Sequence, residues 1–340
     1  MILAGSLIPK TRLRMILTMH YAAPVRSTIF VIPLLLTLAA CTPAAPASGP
    51  ANPKNDQAPA AIATTTQLGS IVGDITKCAG TPSATLMGPG DDPHDFSLAS
   101  NQMAALTKAK LVVASGLGLE AGMSSALEGA RADGASIFEV APLLDPLPYE
   151  EIDSSGDTHA EDDHGAEDPH VHMDVARMAK ASGLIGQKLA EVTGDQKYAQ
   201  CGTEVEAKLQ QTDAEVRQIL SVIPAEKRVL ITDHEAYNYF ADAYDFEIAG
   251  VVIPGGSTDA QPSSAELAEL VEVIQEDKVS AIFSNNTVNP RLVEAVANEA
   301  GTDLKVVQLF EGSVGPEGSG AETYATMMLT NAQRIADALK

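Results

Sequence analysis

Residues 111–140 read LVVASGLGLEAGMSSALEGARADGASIFEV. Leu111-Val112-Val113-Ala114 is a short apolar run halted by Gly116, Ala121 to Ala130 carries a helical pattern, and Ser136 to Val140 is strand-like again. Strand, helix and strand in succession imply a parallel βαβ unit, whose sheet must be covered on both faces. The same rhythm extends outward. Upstream, Leu68, Ile71, Val72 and Ile75 recur at helical spacing, and Ala84 to Met87 is strand-like before the turn Gly88-Pro89-Gly90. Downstream, strands are expected at Arg228 to Thr232, Phe246 to Ile253, Ser280 to Phe283 and Leu304 to Leu309. Ser263-Ser264-Ala265-Glu266 has the form of a capped helix start. Long helical stretches, Asp174 to Ala190 and Asp195 to Leu220, separate the two series. The expected class is α/β, with two lobes, each a mainly parallel sheet flanked by helices, and a long helix between them. The boundaries read 61–173 for the first lobe, 174–200 for the linking helix and 201–340 for the second lobe.

The 340 residues hold 22 Lys+Arg against 45 Asp+Glu, a net charge of −23. Phosphate binding needs a basic face, so nucleic acid is not an expected partner. Anionic headgroups are disfavoured for the same reason. Residues 1–40 have the opposite character: Lys10, Arg12, Arg14 and Arg26 with no acid, then the apolar run Ile29 to Ala40. That run is short of the roughly 20 residues that cross a bilayer, and the pattern is that of a secretory signal peptide. Leu38-Ala39-Ala40-Cys41 resembles the bacterial lipobox, in which the cysteine is lipidated and begins the mature chain. Residues 41–60, rich in Ala and Pro, read as a flexible tether. Localisation is therefore expected to be extracytoplasmic, with the membrane reached through a lipid anchor only. Of the remaining cysteines, Cys78 and Cys201 are expected to form a disulfide in an oxidising compartment, two buried thiols being the alternative.

Histidine usage is uneven. His159, His164, His170 and His172 crowd into a region that carries thirteen acids and no Lys or Arg between Arg131 and Arg177. His94 and His234 stand apart, each past an expected strand, where ligands bind in open α/β folds. The triplet Asp92-Pro93-His94 recurs as Asp168-Pro169-His170, and Thr232-Asp233-His234-Glu235 supplies a third site. Neutral imidazole is a preferred ligand of Zn2+ and other borderline metals. The acidic loop over 150–168, with His159 and His164, reads either as a solubilising segment or as a low-affinity metal antenna.

These motifs, with Tyr237, Tyr239-Phe240 and the C-terminal Thr323-Tyr324 through Asn331, resemble the zinc/manganese solute-binding lipoproteins of bacterial ABC transporters. The resemblance covers nearly all of the mature chain. It implies two α/β lobes on one long rigid helix, metal in the cleft, and an ABC permease with its ATPase subunit as partners of a monomer. It implies His94 and His170 as ligands from the first lobe and His234 from the second. Manganese-type members place a carboxylate where His234 stands, so three imidazoles favour zinc, with Mn2+ the alternative cargo. Glu311, one residue from the family's acidic ligand position (here Gly312), or water completes the set. Two departures stand out. His172 replaces a usual aromatic and is read as a spare ligand or as a residue facing solvent or the cleft rim. Asn285 replaces a usual acid beside the site.

A metal buffer or adhesin on the same fold is a second reading. A zinc-dependent hydrolase is a third and weaker one: no His-Glu-x-x-His occurs and nothing marks a general base. No enzymatic activity is expected.

Overall fold

The computed structural model describes residues 58–149, 167–301 and 304–340. The expected signal peptide, lipidated Cys41, His159 and His164 lie outside the described residues. No described helix is long and apolar enough to cross a membrane.

The first sheet is made of β1 (Ala61–Ala63), β2 (Ser83–Thr85), β3 (Val112–Ala114) and β4 (Ile137–Glu139), in the order β2-β1-β3-β4 with every pair parallel. The second is made of β5 (Val229–Thr232), β6 (Glu247–Val251), β7 (Ala281–Asn285) and β8 (Lys305–Leu309), in the order β6-β5-β7-β8, again all parallel. Each order doubles back beside its first strand, which opens a crevice at the carboxyl ends there.

Helices cover both faces. The chain runs through α1 (Thr66–Ala79), α2 (Ser100–Leu106), α3 (Ser124–Ala132), α4 (Val175–Thr193), α5 (Lys197–Leu220), α6 (Asn238–Tyr244), α7 (Ser264–Glu276), α8 (Arg291–Glu299) and α9 (Tyr324–Leu339). The helix starts follow local chemistry. Thr65, Asp174, Ser263 and Thr323 each accept from a backbone N–H of the first turn, and Ser263 with Glu266 completes a capping box.

The helical stretches expected at 174–190 and 195–220 are α4 and α5, so the linking segment drawn over 174–200 is not one continuous helix. Gly194, at φ +76°, ends α4 in the left-handed region that glycine enters without penalty, and α5 begins three residues later. Both helices touch both lobes: α5 packs on α1 of the first and α9 of the second, while α4 packs on α1 and its Arg177 meets Asp242 and the Tyr239 ring of α6. Leu68, Ile71, Ile75, Ile185, Leu189, Val205, Val216, Tyr239, Met327 and Ile335 belong to one buried cluster spanning both lobes. Each sheet has a separate cluster on its outer face, under α2 and α3 in the first lobe and under α7 and α8 in the second. Because the inner core is shared, parting the lobes would expose apolar surface at about 25 cal/mol per Å².

The pairing of α4 with α5 depends on Gly186 and Gly202. A Cβ at Gly186 would lie 2.7 Å from the Gly202 Cα and 2.7 Å from the Tyr198 carbonyl oxygen. Mid-helix Gly→Ala is worth up to about 1 kcal/mol in propensity, but overpacking costs about 1–3 kcal/mol where backbone is the obstacle. Gly186→Ala is therefore expected to lower the melting temperature, read by thermal denaturation; a rise would show that the two helices part without cost.

Candidate metal centre

The two crevices face each other, and their loops carry the histidines. His94 sits on a turn after β2. His170 precedes the short 3-10 turn Val171–Met173 that leads into α4. His234 follows β5, and Glu311 follows β8. All four are buried, at 4 %, 0 %, 0 % and 1 % exposure. One ligand atom from each of His94, His170 and His234 lies within 4.8 Å of the other two, a spacing that suits one shared ion. The His94 and His170 Nε2 atoms are 3.2 Å apart. Glu311 stands on the His234 side, its Oε2 3.8 Å from the His234 Nε2.

Ring orientation is set by the surroundings. The Asp168 Oδ1 accepts from the His170 backbone N–H at 2.9 Å and lies 2.9 Å from the His170 Nδ1. A carboxylate only accepts, so Nδ1 carries the proton and Nε2 presents its lone pair to the cluster. The other Asp168 oxygen accepts from the Asn238 amide at 3.0 Å, and the Asp168 carbonyl accepts from the Tyr239 hydroxyl at 2.7 Å. Asp168 thus ties the ligand of one lobe to α6 of the other. Asp92 does the same for His94: its Oδ1 accepts from the His94 N–H at 3.0 Å, and its Oδ2 from the Thr258 hydroxyl across the cleft at 2.8 Å.

The electrostatics divide the cluster. His94 is pushed down to about 3 by burial and by His170 and His234. For His234 burial also acts downward, but Asp233 and Glu311 outweigh it and raise it to about 9. Burial works against ionisation of Glu311 as well; His234, His172 and His170 overcome it and hold the carboxyl far below its usual range.

His172 does not face solvent, in contrast to the expectation that it lies at the surface or the cleft rim. It is 3 % exposed, and its Nε2 is 3.1 Å from the Glu311 Oε1. The 3-10 turn directs it inward, and the Tyr324 hydroxyl holds its carbonyl at 2.8 Å. Asn285, at the end of β7, donates to the Glu311 Oε2 at 2.7 Å. The C-terminal motif acts on the same loop: Asn331 donates to the Phe310 carbonyl and accepts from the Phe310 N–H. Cys78 and Cys201 are bonded, with Cα atoms 5.8 Å apart, joining α1 to α5.

Two contributors carry no motif. Gln67 donates to the Glu311 carbonyl at 2.6 Å from 244 positions away, a separation no sequence pattern records. Gly122 donates to the His94 carbonyl at 2.9 Å, and a Cβ there would meet Asp95 and Phe96 backbone at 2.8 Å, so a side chain would displace the His94 loop.

Comparison with known proteins places the chain in a family. Residues 62–338 match the family model described as zinc-uptake complex component A, periplasmic. The chain is 31 % identical over 263 residues to the zinc-binding protein TroA of Treponema pallidum, covering 75 % of this chain and 80 % of that protein. It is 29 % identical over 275 residues to the manganese-binding lipoprotein MntA of Halalkalibacterium halodurans, covering 79 % of this chain and 86 % of that one. The solved structure of the periplasmic zinc-binding protein TroA from Treponema pallidum aligns with a TM-score of 0.73 at 28 % identity, over 83 % of this chain and 99 % of that chain.

Proposed function

This chain belongs to the family of periplasmic component A proteins of zinc-uptake complexes, the metal-binding, non-enzymatic solute-binding components of ABC importers, and from that premise we propose that its cargo is Zn2+. The observation that supports zinc is the donor set of three imidazole nitrogens within 4.8 Å of one another; Glu311, its Oε2 3.8 Å from the His234 Nε2, is the fourth ligand we propose. Imidazole donors in a four-coordinate site suit Zn2+, whereas Mn2+ prefers more oxygen ligands. The metal is captured in the cleft and passed to the permease and ATPase subunits. Cys41 carries the lipid that anchors the chain; a relative, MntA of Halalkalibacterium halodurans, is named a lipoprotein.

The test is a competition titration of Zn2+ against Mn2+ on the purified chain. Preference for Zn2+ is expected; preference for Mn2+ would overturn the reading in favour of the manganese-binding kind, to which the chain is similar at nearly the same identity.

Proton competition gives a second expected result. A metal ligand must be unprotonated. With His234 raised to about 9, the metal-free protein holds that proton at neutral pH, and binding expels it. Affinity should therefore fall as pH falls, by about tenfold per unit from this group alone, or about a hundredfold between about pH 8 and about pH 6. His94, pushed down to about 3, adds nothing in that window. Titrations across the range check this, and a flat profile would contradict it.

A further inference from the structure

We propose that His172 is a positioning residue that, together with Asn285, holds Glu311 as a one-oxygen ligand and so sets the preference for Zn2+ over Mn2+. The inference rests on Glu311 being a ligand, as proposed above. The carboxylate is gripped at both oxygens. The Oε1 is 3.1 Å from the His172 Nε2, and the Oε2 accepts from the Asn285 amide at 2.7 Å. Neither donor can be turned away easily. The Asn285 Oδ1 accepts from the Thr287 N–H and hydroxyl, at 3.0 and 3.1 Å, which leaves its NH2 group facing Glu311. The His172 Nε2 meets an acceptor-only carboxylate and therefore carries the hydrogen. Its Nδ1 is buried and has no hydrogen-bond partner among the described residues. The Tyr324 hydroxyl fixes its backbone.

The consequence is geometric. The Oε2 lies 3.8 Å from the His234 Nε2, while the Oε1 is engaged by His172 at 3.1 Å. Three imidazoles and one oxygen make a four-coordinate set, the arrangement in which zinc is most stable. Chelation through both carboxylate oxygens would add the fifth donor and the extra hard oxygen that Mn2+ favours, and His172 opposes that rotation. Asn285 belongs to the same device. A second carboxylate at its position would stand 2.7 Å from the Glu311 oxygen, where like charges repel.

The test compares His172→Phe, His172→Gln and Glu311→Gln in the full mature chain. Two quantities are read: the Zn2+/Mn2+ affinity ratio by competition titration, and the visible absorption of the Co2+-loaded protein, which is intense for four-coordinate and weak for five-coordinate cobalt. His172→Phe keeps a ring but no donor. Loss of an outer hydrogen bond to a ligand costs about 10–100-fold in metal affinity; here the loss should fall mainly on Zn2+, lowering the ratio by about tenfold and dimming the cobalt bands. His172→Gln restores an N–H donor and should return both toward the parent values. If His172→Phe fails to fold, His172→Leu carries the same expectation. Unchanged ratio and bands in the donor-free variant, with Glu311→Gln still lowering affinity, would overturn the role of His172 while Glu311 stands as a ligand. No change in Glu311→Gln would overturn the ligand reading and this inference with it.

Discussion

Alanine at His94, at His170 or at His234 is expected to lower the affinity for Zn2+ by more than about a hundredfold in each case, since outer-sphere partners of ligands alone are worth about 10–100-fold. The three ring nitrogens share one small volume, and each ring is buried at 4 % exposure or less. Water replacing a lost imidazole would supply an oxygen donor less suited to zinc. The three losses need not be equal. His170 is oriented by Asp168, which also bonds Asn238 and Tyr239 of the other lobe, so its removal leaves a buried carboxylate without its imidazole partner. His234 carries the proton that metal must displace, so its removal should also flatten the pH dependence. Competition titration with a chromophoric chelator reads all three. Parent-like affinity in any one variant removes that residue from the ligand set.

Opening the Cys78–Cys201 bond should have the opposite profile: a large loss of stability with metal affinity retained. The bond closes a separation of 123 residues, and constraint of the unfolded chain by a loop of that length contributes about 2–5 kcal/mol. At about 2–4 °C per kcal/mol for a chain of this size class, the paired Cys78→Ser, Cys201→Ser variant should melt about 10 °C lower. Cys78 lies near the carboxyl end of α1, whereas the metal centre lies beyond its amino end, where Gln67 reaches Glu311. Zinc affinity should therefore match the parent. Equal melting temperatures with and without the bond would show that the shared core alone keeps α1 on α5.

The elements that were readable from sequence have local causes. Ser263 and Glu266 form their capping box within one turn, and Val112 to Ala114 is an apolar run closed by a glycine. Two of the candidate ligands, His94 and His170, stood out because Asp-Pro-His is itself a small device: the aspartate accepts from the histidine backbone two residues on, at 3.0 Å for Asp92 and 2.9 Å for Asp168. The break near Gly194 was legible too, because the helical pattern stops at Ala190 and resumes at Asp195 around a glycine that ends α4 in the left-handed region.

His172 marks the limit. Its neighbours in sequence describe a polar residue on an acidic stretch, and that description suits the surface. Burial is decided instead by a 3-10 turn and by Glu311, 139 positions away. By itself the sequence determined the two series of strands and helices, the three histidines with their aspartates, and the acidic character of the chain, since each rests on residues a few positions apart. Only the tertiary structure decided that one core runs through both lobes, that α4 and α5 pack side by side across them, and that Asn285 and His172 both grip Glu311. Those outcomes depend on contacts between residues far apart in the chain, and packing, not local propensity, selects among them.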